Sequence, residues 1–166
     1  MNKFRKMVMS AALGSVALSG TAQAACWTPA EVDAAKVRDL QSRMMVAALR
    51  CAKSGHDLLP EYNKFVREKR SVLKLGNGVL RSHFAKGRNA KQALRAYDRY
   101  AVSLANRYGA GSGDLSECKH MKLLVTAAVQ SDSRLTSLVD IAQQHALSPE
   151  LPGGRCGIVM ASKGQP

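Results

Sequence analysis

Four cysteines, four histidines, one carboxylate pair and one glycine-rich run are the residues whose chemistry goes beyond packing in this chain of 166 residues. Thiolates and imidazoles bind zinc as closely spaced pairs, and here Cys26, Cys51, Cys118 and Cys156 are far apart, with no CxxC or HxxxH. Cys118 beside His120 is the nearest approach to such a pair. His56, His83, His120 and His145 are scattered, and no His-Glu-x-x-His brings two onto one helical face. Asp57 and Glu61 sit one turn apart at an expected helix start, where carboxylates complement the helix dipole without any catalytic role. The run Tyr108-Gly109-Ala110-Gly111-Ser112-Gly113-Asp114 offers backbone amides to an anion. A dinucleotide fingerprint, however, needs a strand before the glycines and the spacing G-x-G-x-x-G. Here a helical pattern precedes them and the spacing is G-x-G-x-G, which reads as a helix–helix connection. No catalytic residue, metal ligand or cofactor is assigned.

The elements that position these groups start after an export signal. Lys3, Arg5 and Lys6 precede an uncharged run, Met7 to Gly20, and Ala22-Gln23-Ala24 has the small-x-small form of a cleavage site. The run is shorter than the ~20 residues that span a bilayer. Residues 1–24 are therefore read as a signal peptide, 25–150 as one helical domain, and 151–166 as an irregular tail tied back through Cys156. Lipidation of Cys26 is the competing reading, but Gln23 stands where an apolar residue is needed, and an odd number of thiols would remain. The expected location is periplasmic or secreted, an oxidising setting in which four cysteines form two disulfides.

Helix geometry narrows the pairing. Thr28-Pro29-Ala30-Glu31 is a capping box with proline at the first helical position. Val37, Leu40, Met44, Ala47 and Cys51 then recur at helical spacing. One helix between Cys26 and Cys51 holds them ~35 Å apart, whereas a disulfide needs Cα atoms within ~7 Å. That excludes 26–51 and, with two bridges, 118–156. In an up-and-down bundle the first helix ends near the start of the fourth, so the expected bridges are Cys51–Cys118 and Cys26–Cys156.

The rest of the chain reads as helix. Leu58, Tyr62, Phe65, Val66, Val72 and Leu73 form a stripe expected to end at Gly76-Asn77-Gly78, followed by a short piece from Val79 to Lys86. Asn89 caps a helix with Ala93, Leu94, Tyr97, Ala101, Leu104 and Tyr108 inward. Another helix starts near Ser116 and carries Met121, Leu124, Val125 and Ala128. Ser131-Asp132-Ser133 interrupts it before Leu135, Leu138, Val139 and Ala142 continue. The expected fold class is all-α: a disulfide-stapled, up-and-down bundle of four to six helices.

Charge is the strongest functional signal. After residue 24 there are 22 Lys and Arg against 12 Asp and Glu, a net charge of +10. Residues 64–107 alone hold 12 basic and two acidic residues, also +10. Lys91, Arg95 and Arg99 repeat every four residues, extended by Arg88, as one outward ridge, while Lys64, Arg67, Lys69, Arg70 and Lys74 crowd the preceding segment. Such a face either keeps the protein soluble or docks a polyanion. Outside the cytoplasm the polyanion would be anionic phospholipid, lipopolysaccharide or an acidic polymer. Sequence-specific nucleic-acid recognition is not expected, because an exported chain rarely meets a genome. An exported enzyme such as a hydrolase, and a structural partner of the envelope, are the alternatives from other classes.

Cys26-Trp27, "AAKVRDLQSRMMVAALRC", "EYNKFVREKR", "YDRYAVSLANRYGAGS" and the later Cys118 and Cys156 resemble a family of small exported four-cysteine helical proteins of alphaproteobacteria over most of the chain. Such sequences sometimes carry the label S-adenosylhomocysteine hydrolase, which implies a long NAD-binding Rossmann enzyme. The strand–glycine–helix unit of that enzyme is missing from this sequence.

Overall fold

Thr28 and Glu31 set the first helix as their types require. The Glu31 carboxylate accepts from the Thr28 amide at 2.8 Å, and the Thr28 hydroxyl accepts from the Glu31 amide at 3.4 Å. This computed structural model describes residues 26–52, 55–110 and 114–157. The export signal expected at 1–24 lies outside the described residues, as does the end of the tail. Among the described residues there are six helices: α1 Pro29–Cys51, α2 Leu59–Glu68, α3 Arg70–Ala85, α4 Ala90–Gly109, α5 Leu115–Gln130 and α6 Leu135–Gln144. Asn89 and Gln92 form a second capping box at α4, and Asp114 caps α5. Among the described residues no helix is long and apolar enough to cross a membrane.

Helix α1 is the axis, packed against all five others. Its alanines at 34, 35, 47 and 48 are buried together with Val37, Leu40 and Met44, so neighbouring backbones approach closely on several sides. Two cores follow from this. The C-terminal half of α1 joins α2, α5 and α6 around Phe65, Met121, Leu124 and Leu138. The N-terminal half joins Trp27, Leu80, Phe84, Tyr97, Tyr100 and Leu104. Each large apolar side chain so buried stabilises the fold by roughly 1.5–3 kcal/mol.

Both disulfides join the expected partners. Cys51–Cys118 spans 67 residues of sequence and Cys26–Cys156 spans 130. The second staple is reinforced by backbone pairing, since Trp27 donates to Gly154 and Cys156 donates to Trp27, each at 2.9 Å. The chain is therefore the all-α, disulfide-stapled bundle expected from sequence.

Three local expectations need correction. The break expected at Gly76-Asn77-Gly78 is absent, because α3 runs unbroken from Arg70 to Ala85. Two mid-helix glycines cost about 1 kcal/mol each, less than the burial of Val72, Leu73, Leu80 and Phe84 on either side gains. The real break is at Lys69, between α2 and α3, where the backbone leaves helical geometry. Lys69 is itself buried and its ammonium donates to the Ser131 carbonyl at the end of α5, so it does not belong to the basic surface. Finally, Leu94 is 52% exposed, while Ala96 and Tyr100 are buried. The aromatic cluster of Trp27, Phe84, Tyr97 and Tyr100 takes the inner face of α4 and turns Leu94 outward.

Candidate anion-binding surface

Lys91, Arg95 and Arg99 all lie exposed on α4, on the side away from Ala96, Tyr97, Tyr100 and Leu104. Arg88 stands in the preceding turn, where its guanidinium donates to the Phe84 carbonyl at 3.2 Å. Lys64 and Arg67 are exposed on α2 and Arg70 opens α3. Lys64 is partly neutralised by Glu68, 3.8 Å away. The sequence-derived surface thus falls into two parts, because α2 and α4 make no contact while α3 packs on both. Among the described residues, no carboxylate lies within 4.0 Å of Arg67, Arg70, Lys74, Arg81, Arg88, Lys91, Arg95 or Arg99. Three acids are engaged elsewhere, Glu31 with Lys86 and His83, Asp39 with Arg107, and Glu117 with Arg50, whereas Asp98 is exposed on α4 between Arg95 and Arg99.

Between the two parts, α3 forms one wall of a groove of about 450 Å³, bounded by Gln41 of α1, Val66 of α2, and Arg70, Leu73, Lys74, Asn77, Gly78 and Arg81 of α3. Arg81 is steadied over the Tyr97 ring, its guanidinium carbon 5.4 Å from the centroid. Sequence reading singled out Arg70 and Lys74 but placed a break at Asn77 and Gly78, so the groove was not visible to it.

A second cleft of about 450 Å³ lies between α1, α4 and α5 and is lined by Arg43, Arg50, Arg107, Tyr108 and Glu117 among others. Asp39 is buried just behind it, accepting from the Tyr108 hydroxyl at 2.8 Å and from Arg107 at 3.3 Å. Burial pushes the Asp39 carboxyl up, and Tyr108, Arg107 and Arg43 oppose that. Arg50 bonds the Tyr108 carbonyl at 2.8 Å and Glu117 at 2.7 Å, and Arg107 bonds the Ser148 carbonyl at 2.7 Å. These arginines tie α1, α4 and α5 together. The network escaped sequence reading, although Asp39, Arg43 and Arg50 share one face of α1 at spacings of four and seven.

Three of the four histidines lie against another ring. His83 is buried, stacked on Trp27 at 3.9 Å, with Nδ1 3.2 Å from Glu31. Burial lowers its pKa, with Glu31 pulling the other way. His120 and His145 meet edge to face at 5.6 Å at the end of α6. No group of three or more metal-ligating side chains occurs among the described residues. Of the glycine-rich run, residues 111–113 lie outside the described residues. Comparison with family models, with curated proteins and with solved structures finds no match.

Proposed function

We propose that this chain is an exported helical binding protein that docks its basic face on an anionic component of the cell envelope. The observation that carries the reading is the segregation of charge. Arg67, Arg70, Lys74, Arg88, Lys91, Arg95 and Arg99 face solvent without a carboxylate within 4.0 Å, while Glu31, Asp39 and Glu117 are held in ion pairs elsewhere and Asp98 is the one acid exposed on α4 beside the ridge. A cation held near an anionic surface contributes about 1 kcal/mol, so the three residues of the α4 ridge together supply roughly a hundredfold in partitioning. Anionic phospholipid, lipopolysaccharide and acidic polymer all present the required charge. The replacement Lys91→Glu, Arg95→Glu and Arg99→Glu in one chain tests the idea by co-sedimentation with anionic vesicles. The expected result is loss of most retention at low salt, with wild-type retention itself falling as salt rises. Retention that is unchanged by the substitutions and insensitive to salt refutes the proposal.

A further inference from the structure

We infer that the groove between α1, α2 and α3 seats the phosphate head of an anionic phospholipid, with Gly78 kept side-chain-free to admit it. This deepens the docking proposal and rests on it. The groove presents hydrogen-bond donors and scarcely any free acceptor. Arg70, Lys74 and Arg81 are donors only. Gln41 and Asn77 carry acceptor oxygens, and each already holds one donor: Gln41 Oε1 accepts from Arg38 at 2.9 Å, and Asn77 Oδ1 accepts from the Tyr97 hydroxyl at 3.0 Å. No acid lines it. A donor-rich, triply cationic wall without a carboxylate complements a ligand head that only accepts, and phosphate is such a head.

Val66 and Leu73 make part of the same groove apolar. Across α3, a second groove of about 650 Å³ shares Lys74 and Gly78 and adds Leu75, Val79 and the buried, ion-paired Glu31, with Leu75 59% exposed. Cations and apolar side chains thus alternate across the outer surface of α3, which suits a charged head followed by hydrocarbon rather than a free inorganic anion. Gly78 sits at the junction. A Cβ built there meets nothing within 4 Å, and its φ lies outside the left-handed region, so neither packing nor backbone conformation requires glycine. Glycine in an exposed helix interior weakens the helix. What it provides is bare backbone where a ligand can approach.

The test is calorimetric titration with dihexanoyl phosphatidylglycerol below its micelle concentration. Inorganic phosphate and dihexanoyl phosphatidylcholine serve as separate arms. The proteins are wild type, Arg70→Gln with Lys74→Gln, Gly78→Leu, and the α4 ridge triple variant. Wild type should bind phosphatidylglycerol at least tenfold more tightly than either phosphate or phosphatidylcholine. Both groove variants should lose at least tenfold, Gly78→Leu while melting no lower than wild type. The ridge variant should bind the soluble lipid as wild type does. Equal affinity for phosphatidylcholine or for phosphate, absence of binding by wild type, or groove variants that bind normally each overturn the inference. A ridge variant that loses vesicles while the groove variants behave as wild type leaves the docking proposal standing without this one.

Discussion

Glu31 gives the sharpest thermodynamic prediction. Its carboxylate is almost fully buried, accepts from the Thr28 amide at 2.8 Å, and meets the Lys86 ammonium at 2.6 Å and His83 Nδ1 at 3.2 Å. Burial alone would raise its pKa, but the bonds from Lys86, Thr28 and His83 prevail and hold it at about 2, against an ordinary value of 4.5. A carboxyl that ionises more readily folded than unfolded adds stability above pH 4.5, and that stability is lost as pH falls toward 2. The shift corresponds to about 3 kcal/mol. Glu31→Gln isolates this charge, because glutamine still accepts the capping hydrogen bond. Urea unfolding of both proteins between pH 7 and pH 2 should show the variant roughly 3 kcal/mol less stable at neutral pH, a midpoint shift of about 2 M. The gap should shrink to about 0.4 kcal/mol as pH approaches 2, where half of the folded wild-type side chains are protonated as well. His83 adds to the acid limb in the same direction: held below its ordinary 6.5 by burial, it contributes stability above that pH which is lost on acidification. A gap between the two proteins that stays constant from pH 7 to pH 2 would refute the electrostatic account of this cluster.

Two further predictions concern the frame. Replacing Cys51 and Cys118 together with serine opens a loop of 67 residues and should cost about 4 kcal/mol in denaturant unfolding on chain-entropy grounds; a loss below 1 kcal/mol would contradict that. Ala146 occupies the left-handed region at φ 53° just past α6, where the Leu147 amide bonds the Ala142 carbonyl at 2.8 Å. This is a helix ending that favours glycine, so Ala146→Gly should raise stability by up to about 1 kcal/mol, and a lower melting temperature would count against it.

What the sequence revealed was what depends on local spacing. Thr28-x-x-Glu31 and Asn89 announce helix starts through bonds made within three residues. The length of α1 alone forbids Cys26 from meeting Cys51. Long-range competition decided the rest. Gly76 and Gly78 prefer a break locally, yet the apolar residues on either side hold the helix together across them. Lys69 looks like one more surface cation until α5 supplies the Ser131 carbonyl that draws it inward. The groove needs Gln41 and Asn77 to have their oxygens engaged by Arg38 and Tyr97, and the Asn77 partner lies 20 residues away. Asp39 reads as an ordinary acid between arginines, and only the return of α4 with Tyr108, 69 residues on, makes it the centre of a buried network.

The Cys26–Cys156 link has a mechanical meaning. Its two Cα atoms are 4.9 Å apart, and all six helices lie within the loop it closes. Tension applied at residues 26 and 156 would pass from one sulfur to the other and bypass the bundle. A load at these two points would then extend nothing between them until a reductant cut the link, and only afterwards would the helices begin to bear force.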